Sequence, residues 1–295
     1  PDTTLAWIEP DGTISPLLHG ANAISQVRIS PDGKKAAFTQ FSNTNNLHIL
    51  DLAHTPAIAQ RVSDGLYITR FAWSPDSTRV AFNASPAVIS GVRGTQDVLQ
   101  GVFTIAADGN SPASLLRRFP LGDLRVYDWS PDGKYIAIST HSEFAEPTDP
   151  LDTLLIDVEH PQKLQPALTT VAGEYGSVFS HDGRWIAYTH ELHETRNVYI
   201  ATFPACTPVH RLSTQGGYRP RWSHDDKTIY FLFGSDFYSA PIDISTSEPR
   251  IGQARLLHSG IITDQFDVAA DGRVLANMRR HAPDTTLRIM TGVRR

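Results

Sequence analysis

The sequence predicts an all-β chain folded as a six-bladed β-propeller of four-stranded antiparallel blades. Three observations predict it: one turn phrase recurs six times, its interval is that of a blade, and short alternating apolar runs flank every copy. The phrase reads Val-Arg-Ile-Ser-Pro-Asp-Gly from Val27, Phe-Ala-Trp-Ser-Pro-Asp-Ser from Phe71 and Tyr-Asp-Trp-Ser-Pro-Asp-Gly from Tyr127. It returns as Ser-Val-Phe-Ser-His-Asp-Gly from Ser177, Pro-Arg-Trp-Ser-His-Asp-Asp from Pro220 and Phe-Asp-Val-Ala-Ala-Asp-Gly from Phe266. Its sixth position is Asp in every copy, at Asp32, Asp76, Asp132, Asp182, Asp225 and Asp271, at intervals of 44, 56, 50, 43 and 46 residues.

Each phrase closes an innermost strand and turns into a second. Pro presets φ, Asp bonds nearby amides and Gly accepts positive φ, which together make a turn. The second strands end at Phe38, Phe82, Ile138, Tyr188, Phe231 and Ala276, so hairpins fall near 27–38, 71–82, 127–138, 177–188, 220–231 and 266–276. Third strands are expected at Leu47–Asp51, Val102–Ile105, Thr153–Asp157, Asn197–Ile200, Phe237–Pro241 and Leu287–Met290. Weaker fourth strands surround Arg61, Leu115, Arg211 and Leu256. Trp73, Trp129, Phe179 and Trp222 share one phase and are expected to fill the layers between blades.

The N terminus supplies Thr4–Thr13, a third strand and turn, and then Ile14–Leu18, a fourth, without the earlier half of a blade. The last unit lacks a fourth strand, so the N-terminal strand is expected to close the last blade and lock the ring. Leu5–Ile8 and Leu287–Met290 compete for its third position. The whole of 1–295 reads as one domain.

Composition narrows the partners. Lys and Arg number 26 against 31 Asp and Glu, a net charge of −5 that argues against nucleic acid. The single cysteine, Cys206, allows no intramolecular disulfide and has no second Cys for a zinc site. No apolar run approaches the roughly 18–20 residues that span a bilayer, so membrane insertion by this chain is not expected. Opening at Pro1 without Met suggests an excised domain or processed form of a larger protein.

Catalytic signatures are absent: the sequence holds no Gly-x-Ser-x-Gly elbow and no phosphate-binding glycine loop. His190–Glu194 (His-Glu-Leu-His-Glu) superficially suggests zinc, but its second His stands at i+3 rather than i+4, and a solvated hairpin loop is the favoured reading. His141, Glu143, Glu146, Asp149 and Asp152 offer oxygen-rich ligands without calcium-loop spacing, so a solvated connector is favoured there. No catalytic residue, metal site or cofactor is therefore expected. The long connector Ala84–Gly101 is the largest insertion, with interaction loop, lid and plain bulge all open.

Trp-Ser-Pro-Asp-Gly-Lys at Trp129–Lys134, Ser-His-Asp-Gly-Arg-Trp-Ile-Ala-Tyr at Ser180–Tyr188 and Arg221–Leu232 resemble the Pro-Asp repeats of TolB-like propellers across nearly the whole chain. More narrowly, Asn197–Pro204 and Leu212–Trp222 resemble the C-terminal propellers of bacterial serine/threonine kinases and winged-helix regulators. The resemblance implies six blades, a binding or sensing role and a periplasmic or otherwise extracytoplasmic setting. The same propeller precedes prolyl-oligopeptidase hydrolase domains, and no such hydrolase domain occurs in this sequence.

A propeller keeps function on its face and channel, so the residues just ahead of each innermost strand are the candidate site. They are Gln26, Arg70, Arg125, Tyr175, Tyr218, Arg219, Asp264 and Gln265, with Arg70, Arg125 and Arg219 as anion donors. The competing reading pairs these arginines with Glu174, Asp123 and Asp264 and merely closes the ring. The expected function is non-enzymatic: a sensory or scaffold domain for a protein partner or a small anionic, peptide or glycan ligand. The alternative is a propeller lyase or hydrolase with His141, His190 and His193 near the channel.

Overall fold

The computed structural model describes residues 3–18, 24–41, 45–54, 57–63, 66–86, 100–120, 122–140, 150–260 and 262–279. These residues form 25 strands and no helix. After β1 (Thr3–Ile8) and β2 (Ile14–Leu18), unit 1 holds β3 (Ile24–Ile29), β4 (Lys35–Phe41), β5 (Asn45–Asp51) and β6 (Ile58–Arg61). Unit 2 holds β7 (Leu66–Trp73), β8 (Arg79–Pro86), β9 (Gln100–Ala106) and β10 (Ser114–Phe119). Unit 3 holds β11 (Arg125–Trp129), β12 (Tyr135–Thr140), β13 (Asp152–Asp157) and β14 (Leu164–Leu168). Unit 4 holds β15 (Gly173–Phe179), β16 (Trp185–Leu192), β17 (Thr195–Thr202) and β18 (Val209–Arg211). Unit 5 holds β19 (Tyr218–Trp222), β20 (Thr228–Phe233), β21 (Asp236–Asp243), β22 (Arg250–Ile251) and β23 (Arg255–His258). The last hairpin is β24 (Ile262–Val268) and β25 (Val274–Arg279).

Within units 1–4 consecutive strands pair antiparallel. Units 1 and 2 join through one parallel pairing, Asn45 with Tyr67. In the last sheet the order is β2-β1-β25-β24, with Leu5 opposite Asn277 and Ile8 opposite Val274. The N-terminal strands thus occupy the outer half of the sheet that β24 and β25 begin. Leu287–Met290 lies outside the described residues.

The turn phrase works through its serine as well as its aspartate. In unit 1 the Ser30 hydroxyl donates to Asp32 at 2.6 Å and accepts from the Lys35 amide, while Asp32 also accepts from the Lys34 amide. The Ser-to-Asp bond recurs at Ser74, Ser130, Ser180 and Ser223, and is missing only where Ala269 replaces serine. The serine and aspartate thus satisfy amides two and five residues further on within the turn itself.

Packing runs between units. Trp73 buries against Ala37, Leu47 and Ile49 of unit 1, Trp129 against Ala72 and Ala81 of unit 2, and Trp222 against Val178 and Trp185 of unit 4. Leu5, Trp7 and Leu275 bury against Val27 and Phe38, joining the last sheet to unit 1. The Trp73 and Trp222 indoles also donate to the Arg28 and Val178 carbonyls of the preceding unit, at 3.2 Å each. Asn277 donates to the Ile24 carbonyl at 2.9 Å.

Every innermost strand carries a register slip: between Ile24 and Gln26, Ile68 and Arg70, Val126 and Asp128, Tyr175 and Val178, Tyr218 and Arg221, and Ile262 and Phe266. Such a bulge bends the strand and changes the side-chain phase beyond it.

Candidate functional site

A cavity of about 470 Å³ lies between the innermost strands, at the end where they run into their turns. Two rings of equivalent positions line it. The inner ring is the second residue of each phrase: Arg28, Ala72, Asp128, Val178, Arg221 and Asp267. The outer ring stands three positions later: Pro31, Pro75, Pro131, His181, His224 and Ala270. The inner arginines are buried, whereas Pro31, Pro131, His181, His224 and Ala270 are exposed, so the cavity opens to solvent at the turn end.

Both inner aspartates are anchored the same way. Asp128 accepts the Phe179 amide of the next unit at 2.8 Å, and Asp267 accepts the Ile29 amide of unit 1 at 2.8 Å. One Asp267 oxygen is used for this and the other faces the two arginines. Arg28 donates to the Tyr127 carbonyl two units on, at 2.9 Å, across the gap left by the small Ala72. Arg221 donates to the Pro220 carbonyl, and its guanidinium lies 5.8 Å from the Phe266 ring centre.

The two arginines sit on either side of one carboxylate. The Arg28 Nη1 and Arg221 Nε stand 3.7 and 3.6 Å from the same Asp267 oxygen. Neither distance is a hydrogen bond, and the buried Arg221 Nε has no hydrogen-bond partner. Burial lowers the Arg221 guanidinium well below its usual pKa, with Arg28 adding to the effect. Burial likewise raises the Asp128 carboxyl against the pull of Arg28, the Phe179 amide and Arg221. A cluster with buried charge left partly uncompensated is unfavourable as pure scaffold, since apolar residues would fill the same space at less cost.

At the rim, His181 and His224 meet edge to face with ring centres 5.0 Å apart. Asp226 of unit 5 accepts from the His181 amide, the His181 Nδ1 and the Asp182 amide, each at 2.9 Å, and so clasps the turn of unit 4. Burial pulls the His181 pKa down, but the bond and charge of Asp226, with Asp128 and Asp267 behind, outweigh it and leave it raised. A raised folded value means this contribution to stability is full below the unfolded pKa of about 6.5 and is lost as pH rises through the folded one. The melting temperature of wild type is therefore expected to fall more between pH 6 and 8 than that of His181→Gln, measured by thermal scans across that range.

The positions expected from sequence lie at the opposite end of the innermost strands. Gln26 is buried and pairs with the Phe71 backbone through both ends of its amide. Arg70 donates to the Ser25 and Thr69 carbonyls, and Arg125 makes a forked pair with Asp123 at 2.8 and 2.6 Å. Tyr175 donates to Glu191, which also holds Arg196, and Tyr218 donates to the Gly234 carbonyl. Arg219 adopts φ 57°, with its amide on the Thr189 hydroxyl, and Gln265 is buried. Glu174 is buried and bonded to Thr170, and Asp264 falls within β24. The structure does not bring these residues to the cavity of the turn end.

His190 packs 4.8 Å from the Tyr199 ring, and His193 and Glu194 form the two-residue turn between β16 and β17, with φ 49° and 64°. Among the described residues no three His, Cys, Asp or Glu side chains are grouped to hold a metal ion. His141, Glu143, Glu146, Asp149 and nearly all of the connector at 84–101 lie outside the described residues. No helix of the described residues is long and apolar enough to cross a membrane.

No family model matches the chain, and no curated protein matches it. Solved structures do. Putative TolB from Agrobacterium tumefaciens superposes with a TM-score of 0.68 at 16% identity, over 95% of this chain and 99% of that one. TolB from Acinetobacter baumannii gives 0.60 at 14%, over 95% of this chain and 64% of that one. Oligogalacturonate lyase from Vibrio parahaemolyticus gives 0.59 at 11%, over 92% and 83%. At these identities the likeness is one of fold, and that fold is a TolB-like β-propeller.

Proposed function

We propose that the chain is a non-enzymatic binding module of a larger bacterial regulatory or envelope protein, folded over 1–295 as one six-bladed ring that the N-terminal strands close. The contacts from the last sheet back to unit 1, through Asp267 with Ile29 and Asn277 with Ile24, support the ring. The observation that carries the binding role is the open cavity whose wall holds two buried arginines and two carboxylates. Charges fixed on packed strands are pre-organised for a ligand or an inserted segment of a partner. Likeness to TolB supports an extracytoplasmic setting, and the resemblance to propellers of kinases and winged-helix regulators supports a sensory one. The runner-up, a propeller lyase or hydrolase, draws on the Vibrio lyase and on His181 and His224 at the rim; turnover of oligogalacturonate would establish it.

A thermal-shift screen against metals, nucleotides, sugars, amino acids and muropeptide fragments tests the binding role. At least one class is expected to raise the melting temperature of wild type and not that of Arg221→Gln. A shift kept by Arg221→Gln and lost by the Arg70→Ala, Arg219→Ala double variant would move the site to the other end of the strands. No shift with any class would overturn the small-ligand reading in favour of a protein partner.

A further inference from the structure

The inner ring is neutral in sum but uneven in its pairing. Consecutive units place Arg221, Asp267 and Arg28 side by side, two guanidiniums against one carboxylate. Asp128 stands three units away from Asp267, between Ala72 and Val178, which carry no charge. Both arginine contacts at ion-pair distance go to Asp267, and Asp128 makes none among the described residues. Two guanidiniums thus share the Asp267 carboxylate, whereas Asp128 feels the charge of Arg28 and Arg221 but is paired with neither at that distance.

We infer that this cavity binds a zwitterion of amino-acid or short-peptide type, its carboxylate on the Arg28 and Arg221 guanidiniums and its ammonium on Asp128. The inference rests on the reading of the cavity as the binding site and names its ligand. A simple anion would gain from the arginines but meet two carboxylates in the same ring. A simple cation would meet two guanidiniums. Only a ligand carrying both charges apart satisfies the arginines and Asp128 together, and its removal of the uncompensated charge makes binding selective. Buried donors and acceptors left unpaired by the wrong ligand are what give such sites their discrimination. The volume of about 470 Å³ lies within the range of small-molecule sites, roughly 300–1,000 Å³. Ala72 and Val178 offer apolar contact for a side chain.

The test is calorimetric titration of the 295-residue chain with L-alanyl-L-alanine and L-leucine, each also as its N-acetyl and its C-amide form. The free zwitterions are expected to bind at least ten-fold tighter than either blocked form. Asp128→Asn keeps an acceptor for the Phe179 amide and so preserves the fold; it is expected to weaken the free dipeptide to the level of its N-acetyl form while leaving that form unchanged. Arg221→Gln is expected to do the same for the C-amide comparison. Blocked forms that bind as tightly as free ones would overturn the zwitterion and leave the cavity as the site. No binding of either free zwitterion would also overturn it; the cavity reading falls as well only if the wider screen yields no shift that Arg221→Gln abolishes.

Discussion

Gln26→Ala is expected to destabilise the fold by about 2–4 kcal/mol. The Gln26 amide donates to the Phe71 carbonyl at 3.0 Å and accepts from the Phe71 amide at 2.9 Å, with the side chain 2% exposed. It acts as one more peptide group, pairing β3 of unit 1 with β7 of unit 2, two strands that share no backbone ladder. Removing it leaves a buried N–H and a buried C=O without partners, and each costs about 1–3 kcal/mol. Urea unfolding followed by tryptophan fluorescence measures the loss as a lower midpoint at unchanged slope. The control is Gln60→Ala, whose amide is exposed and makes one long bond of 3.4 Å to Asp108, and which is expected to change stability by less than about 0.5 kcal/mol. A Gln26→Ala protein as stable as the control would show that the inter-unit pairing contributes nothing.

The second large effect is expected at Asp226. It occupies the place that glycine takes in four of the six phrases, and it does so at φ 56°, where a side chain is strained. Ser77, the other exception, sits at φ 59° and accepts the Asp32 amide of unit 1 at 3.1 Å. The two non-glycine residues therefore share one use: each reaches back to hold the turn of the preceding unit. Asp226→Gly relieves about 1 kcal/mol of backbone strain but loses three bonds to a carboxylate, each worth about 1.5–3 kcal/mol in a sheltered setting. A net loss of about 3 kcal/mol or more is expected, and the pH dependence contributed by His181 should vanish with it. Asp226→Asn, which tolerates the left-handed region and keeps one acceptor, should fall between the two. A Gly variant more stable than wild type would mean that strain outweighs the clasp.

Much of this architecture can be read without coordinates. The turn phrase names its own bonds, because Ser, Asp and Gly each serve a short-range need. The expected third strands at Leu47–Asp51, Thr153–Asp157 and Asn197–Ile200 fall within β5, β13 and β17. That the N-terminal strands join the last sheet follows from counting which unit lacks strands, whereas the place beside β25, left open between Leu5–Ile8 and Leu287–Met290, is taken by β1 in the structure. His190–Glu194 falls at the end of a hairpin, as its spacing requires.

The cavity was not legible in the same way, although its signal is present. Within the phrase the second residue runs Arg, Ala, Asp, Val, Arg, Asp, varying in charge while its neighbours stay apolar or turn-forming. The expected residues, Gln26, Arg70 and their equivalents, stand just ahead of the phrase, whereas the lining residues stand inside it. A register slip lies in every one of those strands, the expected residues at or before its far end and the lining residues at or beyond it.

By itself, then, the sequence determined strands, turns and the repeat, because these depend on residues a few places apart whose backbone bonds are local. Which side chains share a wall was decided only by the tertiary structure. Arg28, Asp128, Arg221 and Asp267 come from four units as much as 239 residues apart. Their charges meet because the packing of one unit on the next brings them together, which is not encoded within any single repeat.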